Sequence, residues 1–419
     1  MAQSVKWAVG TCFIAWMYIY GFLLLCFDTL ASSFPPTLLG SVILFVAYHY
    51  LKLPPPDDEQ VELLLGRDPW LDDNNEITAL ENSTSNEESS GDSDKTDKGE
   101  KILRNLKVIA HRGAGLDAPE NSIASFRKCK DRGCNAVEFD VSLTSDGVPV
   151  IFHDRFVDRV SDGNGEISLM TLSEARKLDI SHKHPFREWY KGERIPTLEE
   201  AVKECLSLDL TMFIDIKVND VRTVPHILGL FGKEVKAGDL PGLVSTPANV
   251  WMPPSGTNMH SKAIVTTFHP YLIYLIRRAD PRIACTLGWR PFSISSVSYS
   301  ASAALGPAGM HGCTRPQYSG MFTNLGARIM DEIVGWCFQR GIPYHLLGLS
   351  GLLIHKDFLS PEMLRQWRAK GLRIIAWTVN NPTEKQYFSK ILKVAYITDT
   401  LDAESNHNLP DGLDLAATR

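Results

Sequence analysis

Residues 107–154 read KVIAHRGAGLDAPENSIASFRKCKDRGCNAVEFDVSLTSDGVPVIFHD, and this stretch decides the fold class. It contains three short runs of β-branched and aliphatic residues, at 108–110, 136–141 and 148–152, with a segment of helical period at 122–131 between the first two. Such runs predict buried strands, and strands that alternate with helices predict a parallel sheet. The predicted class is therefore α/β.

The same alternation continues toward the C-terminus. Further candidate strands lie at 211–216, 263–268, 283–287, 373–379 and 395–398. About eight repeats over roughly 300 residues fit a closed TIM (β/α)8 barrel better than an open sheet. A further apolar run at 346–354 is either the sixth strand or an insertion, so the strand count stays open by one.

Two segments are too long for ordinary loops. Residues 155–196 contain their own turn at Asp162-Gly163-Asn164-Gly165 and predict a small insertion after strand three. Residues 291–320 are rich in Ser, Ala and Gly and predict a flexible loop. We place the folded domain at 105–405, followed by a disordered tail at 406–419.

The N-terminal residues 1–53 predict a membrane anchor of one or two apolar helices. Residues 7–27 contain no charged residue and are long enough for a transmembrane helix, whereas a cleavable signal peptide would have a shorter apolar run. A second apolar stretch, 38–51, follows a turn signal at Pro35-Pro36 and is either a second span or an interfacial helix. We expect an integral membrane protein of the plasma membrane or an endomembrane, with the side of the folded domain left open.

Residues 54–104 begin with three prolines and are rich in Asp, Glu, Asn and Ser, which predicts an acidic disordered linker. Asn82-Ser83-Thr84 within it is a glycosylation sequon, used only if this region faces the lumen or the outside. The net charge of -6 argues against nucleic-acid binding. Eight cysteines without a CxxC pair argue against a disulfide scaffold and a zinc module.

Polar residues follow four successive candidate strands, at the ends where barrel enzymes keep their active sites. They are His111, Arg112, Glu138, Asp140, His153, Asp215 and Lys217. Glu138 and Asp140 are two apart on a strand and therefore point to one face, and Asp215 closes the site from the fourth strand. Oxygen ligands predict one divalent cation, Mg²⁺ or Ca²⁺. The alternative is that the acids only pair with Lys217 and Arg112, but three carboxylates in one mouth repel one another without a cation.

Two imidazoles, His111 and His153, lie at adjacent strand ends beside the carboxylates. Imidazole side chains transfer protons readily at physiological pH, so we predict that these two form a catalytic acid and base pair. Arg112 and Lys217 supply positive charge that binds a substrate phosphate. Trp377 either walls the pocket or fills the barrel.

Seven motifs, in their order along the chain, resemble the signature of the glycerophosphodiester phosphodiesterase family. They are HRG at 111–113, APEN at 118–121, VEFDV at 137–141, FHD at 152–154, FIDIK at 213–217, WTVN at 377–380 and ITD at 397–399. The stretches 144–147 and 370–380 are also similar to membrane-anchored members of the glycerophosphoinositol type.

The resemblance implies a TIM barrel with a small insertion after strand three and one divalent cation on the three carboxylates. It also implies a two-step reaction: a glycerol hydroxyl attacks phosphorus, and water then opens the cyclic phosphate, with the two histidines as the proton-transfer pair. Glu120, Asn121 and Trp377 are the expected supporting residues. Many members of the family carry Glu where this chain has the shorter Asp215. A water molecule can bridge the carboxylate of Asp215 to the cation.

The expected activity is hydrolysis of glycerophosphodiesters to glycerol 3-phosphate and an alcohol such as inositol, ethanolamine or an N-acylethanolamine. Two alternatives stay open. One is a lysophospholipase D that releases lysophosphatidic acid, and the other is a non-catalytic membrane scaffold, which the full set of acids and bases disfavours. The expected partners are the small-molecule substrate and a membrane, and the sequence leaves protein partners open.

Overall fold

The computed structural model describes residues 2–66, 106–245, 247, 249–297 and 316–402. These residues divide into two compact units with a boundary between Lys52 and Leu53. Several predictions therefore concern residues outside the described part of the chain. They are the linker at 67–104 with its Asn82 sequon, the loop at 298–315 and the tail at 406–419.

The first unit contains helix α1, Ala2–Leu51. It runs through Pro35-Pro36, where we predicted a turn. The helix is continuous there, although a proline inside a helix removes one backbone donor and ordinarily kinks or breaks the helix. When the described residues are searched, none of their helices combines the length and the apolar character that crossing a membrane requires.

The second unit is built on a nine-stranded sheet within the described residues. Its strands are β1 Val108–His111, β2 Ala136–Leu143, β3 Pro149–Ile151, β4 Thr211–Ile216, β5 Ala263–Thr267, β6 Cys285–Trp289, β7 Gly351–His355, β8 Arg373–Trp377 and β9 Ala395–Thr398. All except β3 pair in parallel in the order β1-β9-β8-β7-β6-β5-β4-β2, and β1 also pairs with β2, which closes the barrel. The predicted eight-stranded barrel is confirmed, and β7 shows that the apolar run at 346–354 supplies one of its strands.

Strand β3 differs from our prediction, because it is not one of the eight parallel strands. It pairs antiparallel with β2, with Val141 opposite Ile151, and forms a hairpin arm above the barrel. The connection is only a tight turn, in which Gly147 has a φ of 77° and donates its N–H to Thr144. A turn of this length can join only antiparallel strands, because a parallel pair needs a long crossover. The predicted insertion at 155–196 follows this arm.

Helices cover the outer face of the barrel and the insertion. They are α3 Ile123–Asp131, α4 Leu172–Ala175, α5 Leu198–Ser207, α6 Thr223–Leu230, α7 Pro270–Ala279, α8 Met321–Gln339, α9 Ile342–Leu347, α10 Pro361–Arg368 and α11 Pro382–Gln386. A capping box begins α5: the hydroxyl of Thr197 accepts from the N–H of Glu200, whose carboxylate accepts from the N–H of Thr197.

The alternation of side chains along the strands separates two layers of the core. On β2, Val137 and Phe139 point outward and pack under the surrounding helices, whereas Ala136 points into the barrel. On β4, Met212 points outward and Phe213 inward. The inward positions that follow toward the carboxyl ends of these two strands are polar, and a period of two therefore places them at the barrel mouth.

The start of the predicted linker differs from our prediction. Helix α2, Asp58–Leu65, closes the amino-terminal end of the barrel, where Val61, Leu64 and Leu65 are buried against the inward residues of the strands. The Gln60 side-chain amide donates to the carbonyls of His260 and Arg282. An apolar stripe of three residues is enough to dock this helix, and the acidic residues around it concealed the stripe in the sequence.

The same segment is fixed at both ends by arginine side chains of the barrel. Arg277 donates to the carbonyl of Pro54, and Arg373 donates to the carbonyl of Gly66 over 2.8 Å. The backbone N–H of Leu53 also donates to Leu346 over 2.9 Å. Residues 53–66 therefore belong to the folded unit.

Candidate active site

Three buried carboxylates meet at the mouth of the barrel. Glu138 and Asp140 are the inward residues of β2, and Asp215 on β4 lies beside Asp140 in the parallel register. Each of the three is less than 5% exposed, and one ligand oxygen of each lies within 4.8 Å of the others. The structure thus brings together the three predicted ligands, and their oxygens can hold one metal ion.

The predicted phosphate-binding cations contact these carboxylates. The ammonium of Lys217 donates to Asp215 over 2.5 Å and lies 3.0 Å from Oδ1 of Asp140. The backbone N–H of Arg112 donates to Glu138 over 3.0 Å, and its Nε lies 3.3 Å from Oδ2 of Asp140. Both cations therefore lie at the same mouth as the acids.

Asn121, an expected supporting residue, fixes Asp140. Its amide donates to Oδ2 of Asp140 over 2.7 Å, while its oxygen accepts from the backbone N–H of the same residue over 3.1 Å. This pair of bonds leaves Oδ1 of Asp140 directed toward the acidic cluster.

The electrostatics of the cluster fit a cation. Burial and the neighbouring charge of Asp140 raise the pKa of Glu138 well above its ordinary value, and burial also raises the pKa of Asp215. Burial acts in the same direction on Asp140, but the charges of Lys217 and Arg112 hold its pKa below the usual range. Within the described residues, Oδ1 of Asp215 is buried and accepts no hydrogen bond, and buried Oδ1 of Asp140 has the ammonium of Lys217 as an ion-pair partner 3.0 Å away. Buried carboxylate oxygens of this kind are suitable ligands for a hard divalent ion.

His111 is oriented by a residue from the last strand of the barrel. Its Nδ1 lies 2.5 Å from Oδ1 of Asp399, and its Nε2 faces the mouth, 3.9 Å from Glu138. Asp399 is itself held by Asn380, whose amide donates to Oδ2 over 2.7 Å and whose oxygen accepts from the backbone N–H of Asp399 over 2.8 Å. The imidazole is therefore fixed with one nitrogen toward the reaction site.

His153 has its own carboxylate partner. Its Nδ1 lies 2.6 Å from Oδ1 of Asp154, and the other oxygen of Asp154 accepts from Arg159. Arg159 also donates to Glu120 over 2.8 Å, and Glu120 accepts from Arg112 over 2.8 Å. This chain of contacts joins the insertion to the loop after β1, which gives the predicted supporting residue Glu120 a place in the site.

Four residues of these networks had no role predicted from the sequence. They are Asp154, Arg159, Asn380 and Asp399. Three of them stand inside the motifs at 152–154, 377–380 and 397–399, so the motif boundaries were the available signal. Arg159 had no such signal, because its contact with Asp154 depends on the local path of the insertion.

Trp377 lies at the end of β8, on the opposite side of the mouth from the acids. Its ring meets Phe268 edge-on with centroids 5.5 Å apart and meets His355 edge-on at 5.0 Å. Among the described residues, its buried Nε1 has no hydrogen-bond partner. This position favours a wall of the pocket over a filler of the barrel.

The fold and the site together define a (β/α)8-barrel enzyme whose mouth has an acidic triad that could hold a cation and two oriented imidazoles. Comparison with known proteins gives the family. Residues 111–403 match the glycerophosphoryl diester phosphodiesterase family, and the chain belongs to it.

Similar proteins support the same assignment. Glycerophosphodiester phosphodiesterase 1 of Rattus norvegicus is 34% identical over 296 residues, which cover 71% of this chain and 78% of that protein. The Homo sapiens protein of the same name is 35% identical over the same length and shares of both chains. Glycerophosphodiester phosphodiesterase of Caldanaerobacter subterraneus subsp. tengcongensis is 44% identical over 307 residues, covering 72% of this chain and 96% of that protein. The predicted enzyme class, a glycerophosphodiester phosphodiesterase, is confirmed.

Proposed function

We propose that this enzyme hydrolyses deacylated glycerophosphodiesters to glycerol 3-phosphate and an alcohol, with one Mg²⁺ or Ca²⁺ ion bound by Glu138, Asp140 and Asp215. The observation that supports this most directly is the convergence of three buried carboxylates with two imidazoles, His111 and His153, that both interact electrostatically with Asp140. The buried Oδ1 of Asp215, which accepts no hydrogen bond within the described residues, supports the cation. Hard oxygen ligands favour Mg²⁺ or Ca²⁺ over softer metals.

In this proposal the chain itself orients the substrate and moves the protons. Arg112 and Lys217 bind the equatorial phosphate oxygens, and the cation adds charge stabilisation there when it is bound. One of His111 and His153 takes the proton of a glycerol hydroxyl as that oxygen attacks phosphorus, and the other donates a proton to the departing alcohol. In the second step a water gives up a proton, attacks the cyclic phosphate and opens it, and the ring oxygen takes a proton to restore the hydroxyl.

Release of phosphate products from glycerophosphoinositol, glycerophosphoethanolamine and glycerophospho-N-acylethanolamine, with and without a chelator, tests this proposal. We expect activity to be lost in chelator and to return when Mg²⁺ or Ca²⁺ is added back. We also expect His111→Ala and His153→Ala each to lose on the order of 10²-fold or more in kcat. Unchanged activity in chelator would show that the reaction does not require the cation. Full activity of either variant would show that the substituted histidine does not transfer a proton in the reaction.

A specific observation also supports lysophospholipids as a second substrate class. Phe186 and Trp189 in the insertion stack with centroids 5.3 Å apart, and both are exposed. His184, next to them, is 3.2 Å from the carbonyl of Gly115 in the loop after β1, which places this aromatic pair beside the mouth. An acyl chain can lie on such a pair.

The double variant Phe186→Ser/Trp189→Ser distinguishes the two substrate classes. If lysophospholipid is a substrate, the variant loses kcat/KM for it while keeping that for glycerophosphoinositol. Equal kcat/KM changes for both substrates would show that the pair does not bind an acyl chain. Leu169→Ser, at another exposed apolar position of the insertion, serves as the control.

We also propose that residues 1–53 attach the enzyme to a membrane. The described side chains between Trp16 and Phe27 are exposed, and most of them are apolar. Such a surface is costly in water and stable in contact with lipid. We expect the full chain to remain in the membrane pellet after an alkaline wash and the double variant Leu23→Arg/Leu24→Arg to be released. Release of the unaltered chain would contradict the proposal.

A further inference from the structure

Helix α8 presents an apolar face to solvent. Its exposed stripe, which we call the α8 stripe, has members that are each at least half exposed. They are Phe322, Leu325, Ile329, Ile333 and Trp336. Their spacings of three or four residues place them along one side of the helix. A helix of a barrel ordinarily buries its apolar side, but in the part of the chain that the structure describes these five side chains stay largely exposed, even though the guanidinium of Arg340 lies over the ring of Trp336.

The opposite face of α8 is already bound to the barrel. Asp331 accepts from the backbone N–H groups of Ile294 and Ser295, each over 2.9 Å. Phe338 is buried and stacks on Trp289 with centroids 4.5 Å apart. These contacts fix the rotation of the helix about its axis, so the α8 stripe cannot turn inward.

The α8 stripe has a symmetric pattern about its central residue. Phe322 and Trp336 each lie seven residues from Ile329, and Leu325 and Ile333 each lie four residues from it. When two copies of such a helix pair antiparallel about a two-fold axis at Ile329, each large aromatic faces an aromatic and each aliphatic faces an aliphatic. Interfaces between identical chains are most often of this self-complementary kind.

The charges beside the α8 stripe are also complementary in this arrangement. Arg328 and Glu332 are exposed and lie one turn apart on the same flank. A two-fold axis sets the same flanks of the two helices against each other. Arg328 then lies at the same height along the helix axis as position 330 of the second copy. Glu332 of that copy, on the flank that Arg328 meets, is only two residues further, about 3 Å along the axis. Two equivalent Arg–Glu pairs therefore border the apolar contact.

We propose that the α8 stripe is the interface of a homodimer, in which the α8 helices of two copies pack antiparallel. A lipid surface fits the helix less well. Helices that lie on membranes carry an excess of Lys and Arg along both borders of the apolar face, whereas the flank with Arg328 and Glu332 carries one charge of each sign and Arg340 lies at the end of the helix, over Trp336. The pairing of opposite charges is specific to a second copy of this chain.

Charge reversal in the full chain tests the dimer. We expect the unaltered chain to sediment with twice the protein mass of one copy, and Arg328→Glu and Glu332→Arg each to sediment as one copy. An equimolar mixture of the two variants regains the dimer, because each acidic flank then faces a basic one. If the variants were monomeric only because the Arg328–Glu332 pair within each helix was lost, mixing would not restore the dimer. Each variant would still carry two like charges on its own helix.

A matched control and a second measurement accompany this test. Arg365→Glu is the matched control, because it makes the same charge reversal next to Glu362 on α10 and places two acidic residues three positions apart there. We expect the Arg365→Glu protein to stay dimeric. Ile329→Cys, at the two-fold axis, forms a covalent dimer on mild oxidation to a greater extent than the unaltered chain, whereas Gln339→Cys does not. A monomeric unaltered chain, or a mixture that stays monomeric, would overturn the proposal.

Discussion

Oδ1 of Asp399 lies 2.5 Å from Nδ1 of His111, although 288 positions separate the two residues in the sequence. Closure of the barrel creates this contact, because β9 pairs with β1 and brings the carboxyl ends of the first and last strands together. Although burial raises the pKa of Asp399, its hydrogen bond to His111 lowers that pKa below the ordinary value. A carboxylate held in its charged form selects the tautomer of the imidazole by accepting from its Nδ1–H.

Asp399→Asn therefore removes the charge of the residue that positions His111 while keeping a side chain of nearly the same size. We expect kcat for glycerophosphodiester hydrolysis to fall on the order of 10²-fold or more, because the imidazole loses its orientation and its countercharge. KM should change little, since Asp399 faces the histidine and not the substrate. Steady-state kinetics that separate kcat from KM check this expectation.

Asp402→Asn is the matched control, because Asp402 is an exposed carboxylate three residues away. It should keep the kcat of the unaltered enzyme. An Asp399→Asn enzyme with unchanged kcat, or one in which only KM rises, would show that the contact does not orient His111.

Binding of a cation at the three carboxylates should stabilise the fold. An ion that binds only the native state adds about 2.7 kcal/mol to the free energy of unfolding at a concentration 100 times its Kd. Asp140→Asn keeps the size of the side chain but removes a ligand charge. We expect Mg²⁺ or Ca²⁺ to raise the Tm of the unaltered protein and to leave that of Asp140→Asn nearly unchanged.

The exposed carboxylate Glu188 provides the control for this measurement. Glu188→Gln should respond to the ions as the unaltered protein does. Equal rises in Tm for Asp140→Asn and the unaltered protein would place ion binding elsewhere on the chain.

The position of the acids could be predicted from the sequence because it follows from local rules. Glu138 and Asp140 share a face through the period of a strand, and the carboxyl ends of parallel strands meet at one edge. The partner of His111 could not be predicted in this way, since its identity depends on which strands are neighbours in the closed barrel. Local sequence patterns do not contain that information.

Two of the differences in the fold, strand β3 and helix α2, have the same origin. The run at 148–152 has the composition of a strand, but composition does not give direction, and only the short turn before it indicates an antiparallel arm. Helix α2 contributes just three buried apolar residues within an acidic stretch, so its composition resembles that of a linker. Its stability comes from the barrel interior against which it packs.

Leu64→Ala tests that last point. Leu64 is buried against the inward residues at the amino-terminal ends of the strands, so its truncation leaves a cavity in the core. We expect the free energy of unfolding to fall by about 2–5 kcal/mol, measured by urea denaturation. The kcat of the folded protein should stay unchanged, because the catalytic mouth is at the opposite end of the barrel.

The exposed Glu59 on the same helix supplies the control. Glu59→Ala should change the free energy of unfolding by less than about 0.5 kcal/mol. If Leu64→Ala were equally harmless, α2 would not be part of the core, and a protein that begins at residue 105 would be as stable as the full chain.

Acid sensitivity should depend in part on Asp280, a buried carboxylate after α7. Burial by itself would raise its pKa, but hydrogen bonds from Arg282 and His260 lower that pKa to about 2, from an ordinary value of 3.8. A lowered native pKa contributes stability that is complete above the unfolded value and is lost as the pH falls toward the native one. Because Arg282 is largely exposed, we expect Asp280→Asn to lose about 1–2 kcal/mol of unfolding free energy at pH 7.

The difference in unfolding free energy between Asp280→Asn and the unaltered protein should shrink between about pH 4 and pH 2, as the native carboxyl becomes protonated. Urea denaturation at pH 7, 5 and 3 measures this difference, and Asp131→Asn, at an exposed position, should show none at any pH. As the pH falls, Asp280 takes up its proton in the unfolded chain before it does so in the native protein. The loss of stability must therefore begin near the ordinary pKa of 3.8 and cannot begin at neutral pH. A difference that is constant from pH 7 to pH 3 would mean that Asp280 stabilises the fold through its shape and not through its charge.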